Sequence, residues 1–126
     1  MAAYTNTTLV VDTTDVLPYL GEDIDTTYDT TMQDDVGLDA EASVCCLLKY
    51  DVVTNYASIT AQGKRILSEY VARAIAVAGM AYKFTGEAAA ITRVEGENRI
   101  NVHLYRMQQI EKLLSETDVR NYLGVN

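Results

Sequence analysis

The chain has no lysine, arginine or histidine in its first 48 residues, and this absence is its most unusual feature. The same 48 residues carry ten carboxylates, so their formal charge is −10, whereas the remaining residues sum to +2 and the chain to −8. Such a charge repels nucleic-acid phosphate, and the basic residues after position 48 are scattered rather than clustered. The composition therefore argues against a protein that reads nucleic-acid sequence.

Residues and motifs that mark common enzymes are also scarce. The chain has a single histidine, His103, with no second histidine or cysteine nearby, which gives little support to a zinc site or a Ser-His-Asp triad. The glycine-rich nucleotide-binding patterns and the nucleophile-elbow pattern do not occur in the sequence. We therefore expect no enzymatic activity and no cofactor.

The cysteines and the apolar runs bear on the compartment. Cys45 and Cys46 are adjacent, so on a helix their side chains point about 100° apart and cannot easily bridge each other. No apolar run approaches the roughly 20 residues that span a bilayer. We expect a reducing cytosolic compartment and no membrane partner.

Residues 1–38 differ in composition from the rest. Nine of the fourteen threonines lie in the first 31 residues, among many aspartates. Both residue types compete for local backbone hydrogen bonds and weaken helices. The pattern predicts an extended acidic N-terminal arm, containing a short strand at Thr7–Val11 and a helical turn near Asp15.

Residues 39–126 predict a helical core domain. Asp39 can cap a helix that runs to about Tyr56, and Ser58 or Thr60 can cap a longer, central helix that runs to about Phe84. The first helix has apolar residues at helical spacing: Val44, Leu47, Leu48 and Val52. The predicted fold is mainly α, a small helical bundle with the extended arm.

Residues 88–105 have two interpretations. Ile100, Val102 and Leu104 alternate, which suits a β-hairpin with residues 91–94. Helical spacing also fits a set of apolar residues that persists for longer: Ile100, Leu104, Met107, Ile110 and Leu114. We favour a helix from 98 to 116, with the hairpin as the alternative.

A short sequence occurs twice, near opposite ends of the chain. Residues 14–21 read TDVLPYLG and residues 117–124 read TDVRNYLG, with six of eight positions identical. Each copy suits a minimal helical turn, capped by Thr or Asp and ended by Gly. The copies are either a generic short helix used twice or docking elements, one within the subunit and one between subunits. The candidate docking residues are Val16, Tyr19, Leu20, Val119, Tyr122 and Leu123.

Six carboxylates make up a candidate acidic surface: Glu22, Asp23, Asp25, Asp29, Asp34 and Asp35. Asp23, Asp25 and Thr27 match three positions of a calcium-binding loop, but Tyr28 stands where that loop requires glycine. The pattern therefore favours a solvated acidic segment without a metal. Its carboxylates are expected to face solvent, a basic neighbour or passing DNA.

The helical core from Asp39 to Phe84, with the short helical turns at Asp15–Gly21 and Asp118–Gly124, resembles the small head–tail connector (adaptor or neck) proteins of tailed bacteriophages. The resemblance implies a homo-oligomeric ring that joins the portal to the tail and passes DNA without specific binding. It also implies portal, tail or neck proteins as partners, synthesis in the host cytoplasm and a place in the virion. The alternative is a small acidic regulatory protein or DNA mimic that binds a basic partner.

Overall fold

The computed structural model describes residues 3–20, 27–83 and 90–125, and helices dominate them. The elements are α1 (Thr13–Leu20), α2 (Thr30–Leu48), a 3-10 turn (Tyr56–Ser58), α3 (Ala61–Lys83), α4 (Ala90–Leu114) and α5 (Thr117–Leu123). In this part of the chain, β-type pairing is limited to one isolated antiparallel bridge between Ala3 and Asp12. The predicted mainly α fold, a small helical bundle, is confirmed.

The predicted central helix is α3. Helices α1, α2 and α4 pack along it, and α5 contacts it as well. Leu67, Val71 and Ile75 recur every fourth residue and are fully buried, which places one continuous face of α3 in the core. Thr60 caps the helix, because its Oγ1 accepts a hydrogen bond of 3.1 Å from the backbone amide of Gly63. The predicted start of this helix is thus confirmed.

The expected helix start at Asp39 is wrong. Helix α2 begins at Thr30, where the Asp29 carboxylate accepts a hydrogen bond of 3.0 Å from the amide of Met32. Asp39 lies on the exposed side of this helix. The expected boundary between arm and core, at residues 38 and 39, therefore falls inside α2. The helix also ends at Leu48 rather than near Tyr56, because the next residue turns into the left-handed region.

The N-terminal residues fold back onto the bundle instead of forming an extended arm. The amide of Tyr4 donates a hydrogen bond of 2.9 Å to the carbonyl of Val11, which closes a loop over residues 3–12. Tyr4, Leu9 and Val10 are buried in the same core as Val16 of α1. The short strand expected at Thr7–Val11 does not form, since its first amides bind side chains of α2, as described below.

Residues 90–114 form α4, so the helical alternative for this region is confirmed and the β-hairpin is wrong. Ile110 and Leu114 are fully buried, and Met107 packs against the same core. Leu104 was expected on this face but is 40% exposed, and His103 is buried beside the core residues instead. The helix forms because the helical pattern of apolar residues gives α4 one continuous side to pack against α3.

Lys49 ends α2 in an unfavourable backbone conformation that substitution can relieve. Its φ and ψ are 52° and 42°, the left-handed region, which costs a residue with a Cβ about 1 kcal/mol relative to glycine. We expect Lys49→Gly to raise the free energy of unfolding by about that amount in urea denaturation. Lys49→Ala removes the same charge but keeps the strain, so it should not stabilise. Equal effects of the two substitutions would contradict the strain argument.

Gly63 lets the end of α5 approach the start of α3. A Cβ on Gly63 would lie 2.8 Å from the carbonyl oxygen of Leu123 and 2.7 Å from Cγ2 of Ile59. Replacing glycine by alanine inside a helix normally stabilises by about 1 kcal/mol. Here we expect Gly63→Ala to destabilise by about 1–3 kcal/mol, because α5 must shift. Thermal denaturation measures the sign, with the exposed neighbour substitution Gln62→Ala as control. A stabilised Gly63→Ala protein would refute the close contact.

Candidate functional site

The inner side of α2 holds a carboxylate that binds the backbone of the N-terminal loop. Asp34 Oδ1 accepts hydrogen bonds from the amides of Asn6 and Thr7, each at 3.2 Å. Its Oδ2 accepts from the Asn6 side chain at 2.9 Å and from the Thr5 hydroxyl at 3.2 Å. Burial raises the pKa of Asp34, but these hydrogen bonds outweigh burial and hold the pKa below its usual range.

Glu41 repeats the arrangement two helical turns further along α2. Its Oε2 accepts hydrogen bonds from the amides of Thr8 and Leu9, both at 2.6 Å. Asp34 and Glu41 thus satisfy four successive backbone amides, those of residues 6–9. We call Asp34, Glu41 and residues 6–9 the carboxylate clamp. Gly37 lies between the two carboxylates, and a Cβ there would come within 2.6 Å of the Thr7 side chain, so glycine allows the loop to rest on the helix.

The predicted acidic surface is therefore only partly a surface. The prediction of Asp34 as a surface residue is wrong, since it is only 4% exposed and its carboxylate binds the N-terminal loop. Asp29 and Asp35 are exposed, and Asp29 also caps α2. Glu22, Asp23 and Asp25, including two residues of the calcium-loop pattern, lie outside the described residues.

The exposed side of α2 remains strongly acidic. Asp35, Asp39, Ala42 and Cys46 follow one another at helical spacing, and all are exposed. Leu47 beside them is 41% exposed, although it was expected in the core. We call these five residues the α2 outer face. Its two carboxylates lie toward the start of the helix and its apolar residues toward the end.

The two copies of the repeated sequence both pack against their own chain. In α1, Val16 is fully buried, Leu20 is 8% exposed and Tyr19 is half-buried. In α5, Leu123 is buried, Val119 is half-buried and Tyr122 is 67% exposed. Five of the six candidate docking residues therefore pack, fully or in part, within the bundle of their own chain, and Tyr122 does not. A contact between subunits through these residues stays a prediction, and Tyr122 is the candidate with the most exposed surface.

A cluster of ion pairs joins α3 to α4. Glu69 Oε2 accepts hydrogen bonds of 2.8 Å from Nε of Arg73 and from Nε of Arg106. Arg106 makes a second bond of 3.1 Å to Oε1 of the same carboxylate. The hydrogen bonds from Arg106 hold the pKa of Glu69 below its usual range. Burial raises this pKa, but by less than the hydrogen bonds lower it. A forked pair of this kind fixes the relative position of the two helices.

His103 extends this cluster to α1. Its Nδ1 lies 2.8 Å from Nη1 of Arg73, and its Nε2 lies 3.0 Å from the backbone carbonyl of Tyr19. A guanidinium can only donate, so we infer that Nδ1 accepts and that the proton is on Nε2. Arg73 also lies 4.7 Å from the centre of the Tyr19 ring. We call Tyr19, Glu69, Arg73, His103 and Arg106 the His103 cluster.

Two surface grooves border the His103 cluster. The larger, of about 510 Å³, runs between α1 and α3 past Pro18, Arg65 and Glu69. The smaller, of about 230 Å³, is lined by Pro18, Tyr19, Arg99, Val102 and His103. The charged residues that line the larger groove are two carboxylates, Asp15 and Glu69, and two guanidinium groups, Arg65 and Arg106. The groove therefore has little net charge with which to select a ligand.

Helix α4 carries a second apolar stripe on the side opposite its buried face. Val102 is 63% exposed, Tyr105 64% and Leu113 36%, and Gln109 lies between them at helical spacing. The stripe runs for about 16 Å along the helix. A shallow groove of about 430 Å³ follows it past Tyr105, Lys112 and Leu113. We call Val102, Tyr105, Gln109, Lys112 and Leu113 the α4 outer face.

Sequence reasoning did not single out the α4 outer face. The signal was present, because Val102, Tyr105 and Leu113 do not fit the stripe that includes Ile110 and Leu114. Apolar residues on two opposite sides of one helix indicate two partners, here α3 and a second surface. In the sequence, Val102 also fits the alternating pattern of the hairpin alternative, which hides its place in this stripe.

Neither a metal centre nor a membrane helix emerges from the described residues. Within them, no group of three or more His, Cys, Asp or Glu side chains is arranged to hold a metal ion. In the same part of the chain, each helix is too short or too polar to cross a bilayer.

No protein-family model matches the chain, and neither a curated protein nor a solved structure is significantly similar to it. Evidence on function therefore comes from the surfaces of the structure itself.

Asp34 should stabilise the fold in a pH-dependent way. We expect Asp34→Ala to lower the free energy of unfolding by about 2–3 kcal/mol near neutral pH, because charged hydrogen bonds are lost and amides are left buried. The folded pKa of Asp34 lies below its ordinary value of about 3.9, so its stabilisation is complete above that value and disappears as the pH falls through the folded pKa.

The difference in stability between the native protein and Asp34→Asn should therefore shrink in acid, as urea denaturation from neutral pH to about pH 3 would show. Asp35→Asn, at the exposed neighbouring position, serves as the matched control and should change little. A loss for Asp34→Asn that is the same at every pH would contradict this account.

Proposed function

We propose that the protein is a structural virion protein, the subunit of a ring-forming head–tail connector that joins the portal to the tail and surrounds the DNA passage. The observation that supports this best is the pair of exposed faces on α2 and α4. One face is acidic and the other is apolar with a cation. A second copy of the chain is the occupant that we assign to each.

A ring of identical subunits needs a head-to-tail contact between two different surfaces of the same chain. The α2 and α4 outer faces meet this requirement, because both helices pack along α3 while contacting each other little. Each subunit can therefore present one face to the neighbour on one side and the other face to the neighbour on the other side. A contact of one face with itself would instead close a dimer.

The charges of the two faces favour this pairing. Helix α2 contains no basic residue, and its outer face presents Asp35 and Asp39. The α4 outer face presents Lys112, with the exposed Arg99 one turn before Val102. Opposite charges at the edges of a contact steer association and exclude like-charged partners.

The apolar residues supply the remaining contact. Tyr105 and Leu113 on α4 would pack against the exposed Ala42 and Leu47 on α2 of the next subunit. Aromatic residues at the centre of an interface contribute disproportionately to affinity. The α4 face is a surface that a monomer leaves in water and that a ring covers.

The net charge suits passage of DNA through such a ring. Each subunit carries a formal charge of −8, and a closed ring multiplies this value by the number of subunits. The resulting field repels phosphate and opposes non-specific binding. DNA would thus pass without adhering to the wall, and this role needs no recognition of bases.

The oligomeric state of the purified chain tests the proposal. Light scattering coupled to size exclusion, followed by electron microscopy, should show closed rings or a concentration-dependent approach to them. A particle that is monomeric at every concentration and never joins a larger assembly would overturn it. In that case the acidic α2 outer face would fit the alternative function, a small regulatory or DNA-mimic protein that binds a basic partner.

Charge-reversal variants test which faces meet. We expect Lys112→Glu or Asp35→Lys alone to weaken self-association about threefold to tenfold, because each places like charges opposite one another. The double variant should regain part of the loss. Sedimentation velocity at low salt measures the effect, which should diminish as added salt screens the charges.

Arg65→Glu provides the matched control, since Arg65 is an exposed cation on α3 outside both faces. Tyr105→Ser should weaken association by about tenfold or more at any salt concentration, because its loss is apolar. Assembly that survives Tyr105→Ser unchanged would show that the α4 outer face is not the contact.

A further inference from the structure

His103 is buried at the only place where α1, α3 and α4 share a hydrogen-bonded cluster within the described residues. Its two ring nitrogens make opposite kinds of bond. Nδ1 accepts from Arg73 of α3, and Nε2 donates to the backbone carbonyl of Tyr19, which is the next-to-last residue of α1. The neutral ring fits this environment on both sides.

Protonation of the ring would remove the acceptor. Nδ1 would then carry a hydrogen that points at Nη1 of Arg73 from 2.8 Å, so that two donors and two positive charges would face each other. We propose that the His103 cluster is a pH-sensitive latch that holds α1 on the bundle, and that protonation of His103 releases α1.

The charged groups around His103 also disfavour protonation of its ring. From α3, Arg73 faces the ring directly, and Glu69 lies behind Arg73, where it is shared with Arg106. From α4, Arg99 lies one turn before His103. From α1, Tyr19 contributes its carbonyl and a ring whose centre is 6.0 Å from that of His103. The nearest charges from the described residues are thus positive.

Burial lowers the pKa of His103 from its ordinary value of about 6.5, and the charges of Arg73 and Arg99 lower it further, against the bond to the Tyr19 carbonyl. A histidine with a lowered folded pKa stabilises the closed form above the ordinary pKa. This stabilisation is lost as the pH falls from that value toward the folded pKa. The latch therefore opens in mild acid and closes near neutral pH.

Helix α1 is the element that protonation should release first. It has only eight residues and contains Pro18, so it has little helical stability of its own. Its last turn is held through Tyr19, whose ring contacts Arg73 and whose carbonyl accepts from His103. Repulsion between Arg73 and a protonated His103 separates these two side chains, so Tyr19 cannot keep both contacts. Val16 and Leu20 would then leave the core, and the apolar residues of this repeat copy would become accessible to a partner.

The test uses the whole 126-residue chain and its single histidine. A proton NMR titration of His103 gives its pKa directly, which should lie below the ordinary value. Hydrogen exchange, followed by mass spectrometry and corrected for the intrinsic pH dependence, reports the opening of each helix. The opening equilibrium of α1 should rise by up to about tenfold for each pH unit between the ordinary and folded pKa values.

The chain provides two controls for this experiment. The similar sequence in α5 lies away from His103, so its exchange should change much less, and α3 amides should stay protected. His103→Gln can accept from Arg73 and donate to Tyr19 but cannot take up a proton. It should therefore keep α1 closed across the same pH range. His103→Lys should open α1 even at neutral pH.

Three results would overturn the latch. Exchange of α1 that does not change in acid would show that protonation is not coupled to release. Equal acceleration of α1, α3 and α5 would indicate global unfolding. Acid-induced opening that persists in His103→Gln would assign the effect to another group. If His103→Gln does not fold, the comparison of α1 with α5 in the native chain still decides the first two outcomes. The third is then decided by whether the opening of α1 follows the His103 pKa measured by NMR, and opening at an unrelated pH would assign the effect to another group.

Discussion

The carboxylate clamp is the interaction on which the rest of the fold depends. Buried backbone amides require acceptors, and a loop without strand partners cannot supply them itself. Asp34 and Glu41 accept from four successive amides of residues 6–9, and this permits Leu9 and Val10 to enter the core. An acidic segment without a single basic residue is thereby stabilised, because its anions are paired with peptide N–H groups rather than with cations.

Between α3 and α4, in contrast, a carboxylate is paired with side-chain cations. Glu69 is held between Arg73 and Arg106, and the Tyr70 hydroxyl donates a hydrogen bond of 2.8 Å to Glu111 across the same two helices. Burial and the neighbouring carboxylate raise the pKa of Tyr70 to about 12, so it donates throughout the physiological range. Helix α3 therefore joins two electrostatically different halves. The half stabilised by carboxylates and amides contains α2, and the half stabilised by ion pairs contains α4.

Features that depend on local sequence could be predicted, and features that depend on distant partners could not. The cap at Thr60, the central helix and the helical period of α4 all arise from residues close together in the chain. The role of Asp34 depends on an amide 28 positions away. The sequence alone does not distinguish an aspartate that becomes buried from one that stays exposed to water. Among the candidate residues, Val16, Leu20 and Leu123 were identified as docking positions, but the sequence could not show that they pack in their own subunit. The α4 outer face was missed because apolar residues on both sides of a helix weaken its amphipathic signal.

The clamp also limits what the acidic half of the chain can offer to a partner. A formal charge of −10 over the first 48 residues suggests a uniform anionic surface, but the two carboxylates of the clamp are directed inward. Asp34 and Glu41 are nearly completely buried, whereas Asp35 and Asp39 project from the opposite side of the same helix. In the ring that we propose, recognition of a basic neighbour would therefore depend on few, regularly spaced charges rather than on bulk repulsion. Such charges would fix the register of the helix-to-helix contact, which a ring requires in order to close.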